Sequence, residues 1–73
     1  MSRLPRVSGR EVVAALQGIG FRLRRQHGSH LIMRRDAPFA QTVVPDHREV
    51  DTGTLRAILR QTGISVDEFL KML

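Results

Sequence analysis

The spacing of the hydrophobic residues changes at Gly20, and this change predicts a helix followed by strands. Ser8 and Glu11 have capping-box spacing, in which the hydroxyl caps the amide of the third helical residue and the carboxylate reaches back. The sequence therefore predicts a helix over residues 9–19, closed by Gly20 in a left-handed conformation. Its apolar residues recur at helical spacing, at Val12, Val13, Leu16 and Ile19.

After Gly20 the residues alternate as they do in a strand. The predicted first strand starts at Phe21 and has one wet, basic face. The two alternating sets are Phe21, Leu23 and Arg25 on one face and Arg22, Arg24 and Gln26 on the other.

Two further strands are predicted, separated by turn residues. His27 and Gly28 suit a turn, and a second strand follows over residues 29–35. The sequence from Asp36 to Pro38 is typical of another turn, and a third strand runs over residues 41–44 until Pro45 ends it. In the second strand, Leu31 and Met33 share one face, and the other face carries His30, Ile32 and Arg34.

Two helices are predicted for the last third of the chain, after a polar, irregular stretch over residues 45–53. The first opens near Thr54 and closes at Gly63. Ser65 and Glu68 form a second capping box for a short terminal helix. The apolar stripes of these helices are Leu55, Ile58 and Leu59, and then Val66, Phe69, Leu70 and Leu73.

The element order α-β-β-β-α-α predicts an α+β fold made of a single domain over residues 1–73. A three-stranded antiparallel sheet with helices on one face forms a two-layer sandwich, similar to double-stranded-RNA-binding domains.

The chain has no cysteine, so neither a disulfide framework nor a thiolate metal site is expected. It has no apolar run of membrane-spanning length, and residues 1–10 have no apolar signal region, so we expect a cytoplasmic protein.

The charge of the chain points to a polyanionic partner. Twelve Lys and Arg against seven Asp and Glu give a net charge of +5, and eleven of the twelve cations are arginine. The planar guanidinium suits phosphate, which favours nucleic acid. The alternative is a basic, solvated surface with no particular partner.

Three short motifs in a fixed order resemble the HicA (YcfA-like) toxin family. They are Gly20-Phe21, Gly28-Ser29-His30 at the start of a strand, and Val44-Pro45-Asp46-His47 at the end of the next. Residues 53–65, followed by Glu68-Phe69-Leu70, resemble the C-terminal half of that family. The resemblance extends from about Ser8 to Leu73.

This resemblance implies the toxin of a bacterial toxin–antitoxin pair. Family members are small ribonucleases on a double-stranded-RNA-binding-like fold that cleave mRNA, and a HicB antitoxin covers their active face. The histidine of the Gly-Ser-His motif is regarded as catalytic, and it corresponds to His30. The implied partners are therefore mRNA and a HicB-type protein, with no small-molecule cofactor.

The chemistry of RNA cleavage is compatible with a histidine. A base removes the proton of the 2′-hydroxyl, and an acid protonates the departing 5′-oxygen. Imidazole, with an ordinary pKa of about 6.5, can do either. His47 is a candidate second proton-transfer group, and Ser29 could orient His30 or contact phosphate. The alternatives are a packing or surface role for His30, a helix cap or a bond to a loop carbonyl for His47, and a bond to the turn backbone for Ser29.

The arginines near His30 are candidates for phosphate binding, together with the turn residue Gly28, whose amide could approach phosphate closely. They are Arg22, Arg24, Arg25, Arg34 and Arg35. A solvated strand face is the alternative.

A Mg²⁺ site could be built from Asp46, His47, Glu49 and Asp51. Acids just before a helix are usually caps, as Asp51 would be, so no metal is expected.

Two rival functions remain open from sequence alone. A non-catalytic RNA-binding module of the same fold predicts RNA affinity without cleavage. A protein-binding module predicts no RNA affinity at physiological salt.

Overall fold

The computed structural model describes residues 3–73, so Met1 and Ser2 of the predicted domain lie outside it. The order of elements is the predicted one. They are α1 (Gly9–Gln17), β1 (Arg22–His27), β2 (His30–Asp36), β3 (Phe39–Pro45), α2 (Thr52–Thr62) and α3 (Val66–Met72).

Both predicted capping boxes are present, and they fix where α1 and α3 begin. The Ser8 hydroxyl accepts from the amide of Glu11 at 3.1 Å, while the Glu11 carboxylate accepts from the amide of Ser8 at 2.9 Å. Ser65 and Glu68 make the same pair of bonds, each at 3.0 Å. These bonds satisfy amides that the first turn of a helix leaves without partners.

Helix α1 ends two residues earlier than predicted. Gly18 keeps a right-handed helical φ of −63°, and the turn is completed by Gly20, whose φ is +97°. The amide of Phe21 then donates to the carbonyl of Leu16 at 3.1 Å, which closes the helix end. The predicted left-handed conformation of Gly20 is thus confirmed. The residues between Gln17 and Gly20 form a turn and not a regular end of the helix.

The three strands form one antiparallel sheet in the order β1-β2-β3. His30 lies opposite Pro45, and Ile32 lies opposite Val43. A two-residue turn joins β1 to β2, and Gly28 adopts a φ of +58° in it, a conformation that glycine takes without steric cost.

The predicted face assignment in β1 is wrong beyond Leu23. The register shifts between Leu23, opposite Met33, and Arg25, opposite Ile32. Arg24 is therefore an extra residue in a β-bulge, which ends the strict alternation of side chains. As a result Arg25 does not share a face with Leu23. All six residues of this edge strand are exposed.

The sheet and helices form the predicted two layers with the helices on one face. Leu31, Met33 and Val44 point to the helices and are fully buried. Helix α1 packs on β1 and β3, and α2 packs on β3. Phe69 brings α3 into the same core. We call the opposite, helix-free side of the sheet the outer face; on β2 and β3 it carries His30, Ile32, Arg34, Asp36, Phe39, Gln41, Val43 and Pro45.

Candidate functional site

His30 is the first residue of β2 and lies exposed on the outer face. It follows the turn that contains Gly28 and Ser29. The same short hairpin places His27 directly opposite His30. Directly opposed side chains share one face of a sheet, with Cβ atoms about 5 Å apart.

The loop after β3 carries His47 and is anchored by backbone bonds on two sides. The amide of Asp46 donates to the carbonyl of Ser29 at 2.6 Å, and the carbonyl of His47 accepts from the amide of Gly9 at 2.9 Å. The second bond satisfies a free amide at the start of α1. The His47 ring takes no part in this bond and is exposed.

A side-chain ion pair adds a third anchor to this loop. The Arg10 guanidinium, on α1, donates to both carboxylate oxygens of Asp46, at 3.1 and 3.0 Å. The two parallel bonds fix orientation as well as distance. The carboxylate of Asp46 is therefore engaged within the fold.

These anchors bring His30 and His47 to one depression of about 300 Å³. Pro45 separates the two segments and forms part of the wall. The remaining lining residues are Val43, Asp51 and Thr54. An open depression lined by two imidazoles can accept and donate a proton at neighbouring points of one ligand.

Asp51 also lines this depression, but its carboxylate caps α2. It accepts from the amides of Gly53 and Thr54, at 2.9 and 3.2 Å, and from the Thr54 hydroxyl at 2.7 Å. The hydroxyl bond, together with the amide bonds, lowers the pKa of Asp51 below its ordinary value of 3.8. Within residues 3–73 no three His, Asp or Glu side chains are grouped as a metal site would need.

Four of the five candidate arginines lie together on the outer face or its edge. Arg22 is opposite Arg34, and Arg25 is opposite Ile32. The bulge brings Arg24 beside Arg25, where both line a second depression with Ile32 and Gln41. The arrangement concentrates positive charge on the sheet face that carries His30.

Arg35 lies on the other side of the sheet, because neighbouring strand residues point to opposite faces. Its guanidinium carbon is 4.7 Å from the centroid of the Phe21 ring. It donates to the carbonyl of Pro38 at 3.0 Å and reaches that of Ile19 at 3.5 Å. These contacts connect the end of α1 to the turn after β2 and separate Arg35 from the outer-face arginines.

Three depressions lie side by side along the sheet and share lining residues, and we call them together the outer groove. A third depression, between β3 and α2, shares Gln41 with the arginine depression. It shares Val43 and Thr54 with the histidine depression. The outer groove therefore runs from Arg24 and Arg25 to His30 and His47.

Sequence reasoning missed two residues of this face. From sequence, His27 is assigned only to a turn, although a two-residue turn between His27 and His30 already places them opposite each other. Phe39 is given no role from sequence, because the turn residues just before it place the predicted start of the third strand at residue 41. The strand starts two residues earlier, at Phe39.

Residues 9–64 match the family described as the HicA toxin of bacterial toxin–antitoxin systems. The match covers more than three quarters of the 73-residue chain, including the whole sheet and the loop that carries His47. The chain belongs to the HicA toxin family.

Membership gives this HicA chain the role of the toxin in a toxin–antitoxin system. No curated protein matches the chain. Among residues 3–73 no helix is long and apolar enough to cross a membrane.

Proposed function

We propose that this HicA toxin is a metal-independent endoribonuclease that cleaves mRNA in the cytoplasm and is neutralised by a HicB-type antitoxin. One observation supports this proposal above the others. His30 and His47 line one depression at the end of a groove that carries Arg24 and Arg25 at its other end. Proton-transfer groups and phosphate-binding groups thus lie along one surface.

The proposed reaction needs only the substrate and these side chains. One imidazole removes the proton of a 2′-hydroxyl, and that oxygen attacks the adjacent phosphorus. The bond from phosphorus to the 5′-oxygen breaks, and the other imidazole protonates the departing oxygen. His30 carries one role and His47 is the candidate for the other. Ser29 precedes His30 in the turn and is exposed, so its hydroxyl is available to contact the phosphate.

Charge stabilisation in this proposal comes from the arginines of the outer face. The transition state carries extra negative charge on the phosphate oxygens, which fixed guanidinium groups stabilise. In this proposal Arg22, Arg24, Arg25 and Arg34 bind phosphates of the strand on one side of the cleaved bond. Gly28, with no side chain, lets the backbone of the hairpin turn approach a phosphate.

The outer face also suits an inhibitory protein partner. An acidic antitoxin surface would be attracted to the same arginines and would cover the groove when bound. Competition between RNA and antitoxin for one face explains neutralisation without a conformational change. This part of the proposal predicts that the purified complex neither binds nor cleaves RNA.

The test compares wild type with His30→Ala on a mixed RNA in excess EDTA. Cleavage by wild type alone, with RNA affinity retained by His30→Ala, supports a metal-independent ribonuclease that works through His30. Because His30 is exposed, the substitution leaves the core intact, which a urea unfolding curve checks. If neither protein cleaves and both bind RNA, the chain is an RNA-binding module instead.

A further inference from the structure

The turn between β2 and β3 exposes an aromatic ring that the proposed reaction does not use. Phe39, the first residue of β3, is 67% exposed. The other two phenylalanines, Phe21 and Phe69, are 2% and 0% exposed, and the chain contains no tryptophan or tyrosine. Two of the three aromatic rings therefore build the core, whereas the third lies at the surface.

The surroundings of Phe39 are cationic. The Arg34 guanidinium carbon lies 5.6 Å from the ring centroid, within range of a cation–π contact. Arg34 Nε also donates to the Asp36 carboxylate at 2.8 Å. The guanidinium therefore contacts both the Phe39 ring and the Asp36 carboxylate. Asp36 is the residue directly opposite Phe39 in the sheet. The exposure of Phe39 leaves most of its ring available to a ligand.

The ring also lies in line with the outer groove. Phe39 is two residues before Gln41 on β3, so both side chains point to the outer face. Gln41 lines the depression that holds Arg24 and Arg25. The Phe39 end of the sheet is six residues along β2 from His30, or about 20 Å at the rise of a strand. The outer face thus has histidines at one end and an aromatic ring at the other.

We propose that Phe39 is a stacking site for an unpaired nucleobase of the bound RNA, at the far end of the outer face from His30. This inference rests on the proposed function, since it requires RNA on the outer face. Single-stranded nucleic acid is typically held by a positive groove combined with aromatic rings on which bases stack. The bases of a duplex are stacked on their neighbours, so this site is specific for unpaired RNA.

The first test measures RNA affinity in the His30→Ala background, where the RNA stays intact. Adding Phe39→Leu keeps an apolar side chain and removes the π face. We expect about a tenfold loss of affinity for a single-stranded oligonucleotide, with no loss for the same sequence annealed to its complement. The salt dependence should keep its slope, because no phosphate contact is removed. Leu23→Ala, at a 40% exposed position off the outer face, is the matched control and should change neither affinity.

A second test observes the stacking directly. Because the chain lacks tryptophan, Phe39→Trp introduces a single indole whose fluorescence reports on this site alone. Single-stranded RNA should quench it, and an oligonucleotide of equal length without bases should bind with much less quenching. Retained or increased affinity in this variant is the expected rescue by a larger ring.

The outcomes separate this inference from the proposed function. If the His30→Ala chain binds no RNA, the proposed function fails and the stacking site fails with it. If it binds RNA but Phe39→Leu binds equally well and the indole is not quenched, only the stacking site is overturned. If Phe39→Leu weakens binding of the antitoxin and not of RNA, the ring belongs to a protein interface and the stacking site is likewise overturned.

Discussion

The amide of Asp46 donates a 2.6 Å hydrogen bond to the carbonyl of Ser29. This bond joins the turn before His30 to the loop before His47, just beyond the last paired residues of β2 and β3. In sequence, His30 directly follows Ser29, and His47 directly follows Asp46. The relative placement of the two imidazoles is thus set by backbone bonds, which are less mobile than side-chain contacts.

Gly9→Ala should displace this loop. A Cβ on Gly9 would overlap the carbonyl oxygen of Pro45, and backbone atoms cannot move aside cheaply. We expect the free energy of unfolding to fall by about 1–3 kcal/mol, as for other overpacked sites, measured by urea denaturation. RNA cleavage by the folded fraction should fall as well, because the loop carries His47.

Gly18→Ala is the control for that substitution. Gly18 has an ordinary helical φ of −63°, and an added Cβ meets only carbonyl oxygens, at 3.3 Å or more. Its effect on stability should be much smaller, with cleavage retained. Equal losses in the two variants would show that Gly9 is not special in holding the loop.

His47→Ala tests the second proton-transfer group. If His30 and His47 share acid and base roles, wild-type kcat/KM follows a bell-shaped pH profile, and His47→Ala loses one limb of it. The rate should drop by about 10²–10⁴-fold, the usual contribution of such a group. His27→Ala is the matched control, since His27 is also exposed and lies opposite His30. If only His27→Ala loses a limb of the pH profile, His27 and not His47 is the second proton-transfer group.

Arg34 and Arg35 are adjacent in sequence but should differ in function. Arg34→Ala removes a guanidinium from the outer face, so RNA affinity should weaken and the magnitude of the salt slope should fall by about one. Arg35→Ala should leave that slope unchanged and lower the thermal stability, because Arg35 packs on Phe21 and bonds to the Pro38 carbonyl. Salt titrations of RNA binding and thermal unfolding of both variants measure this contrast. Equal changes in salt slope would contradict the assignment of Arg35 to the helix side.

The regular parts of the fold are predictable from sequence because they depend on local signals. The capping boxes at Ser8 and Ser65, the left-handed Gly20, the helix end at Gly63 and the shared face of Leu31 and Met33 are properties of a few neighbouring residues. Each is confirmed in the structure.

The candidate site is less predictable, since it depends on contacts between distant segments. The bulge at Arg24 is a property of the pairing with β2, so simple alternation places Arg25 on the wrong face. The meeting of His30 with His47 depends on the Asp46–Ser29 bond and on Arg10, 36 residues before Asp46. No pattern within a single segment indicates either contact.

Acid should destabilise the protein through Asp51. Folding lowers the pKa of this carboxyl, chiefly through the hydrogen bond from the Thr54 hydroxyl. Its stabilising contribution is therefore complete above the unfolded value of 3.8 and is lost as the pH falls through the lower folded value. Glu68, whose pKa is lowered from its ordinary value of 4.5 chiefly by the Ser65 amide, adds a loss in the same direction.

Asp51→Asn separates titration from capping, because asparagine caps helices about as well as aspartate. Urea unfolding measured from pH 6 down to acid should show a weaker decline in stability for the variant than for wild type. Combining it with Glu68→Gln should flatten the decline further. An unchanged decline in the double variant would show that other carboxyls control acid stability.

The terminal helix should be essential for stability although the family match ends at residue 64. Phe69 on α3 is fully buried in the core, whereas its neighbour Leu70 is 38% exposed. Phe69→Ala should cost about 3–5 kcal/mol, which lowers the melting temperature of a domain of this size by more than 10 °C, at about 4–8 °C per kcal/mol. Leu70→Ala is the control and should have a small effect. If Phe69→Ala is too unstable to purify, Phe69→Leu gives a milder test. If Phe69→Leu and Leu70→Ala both melt at the wild-type temperature, α3 is dispensable for stability.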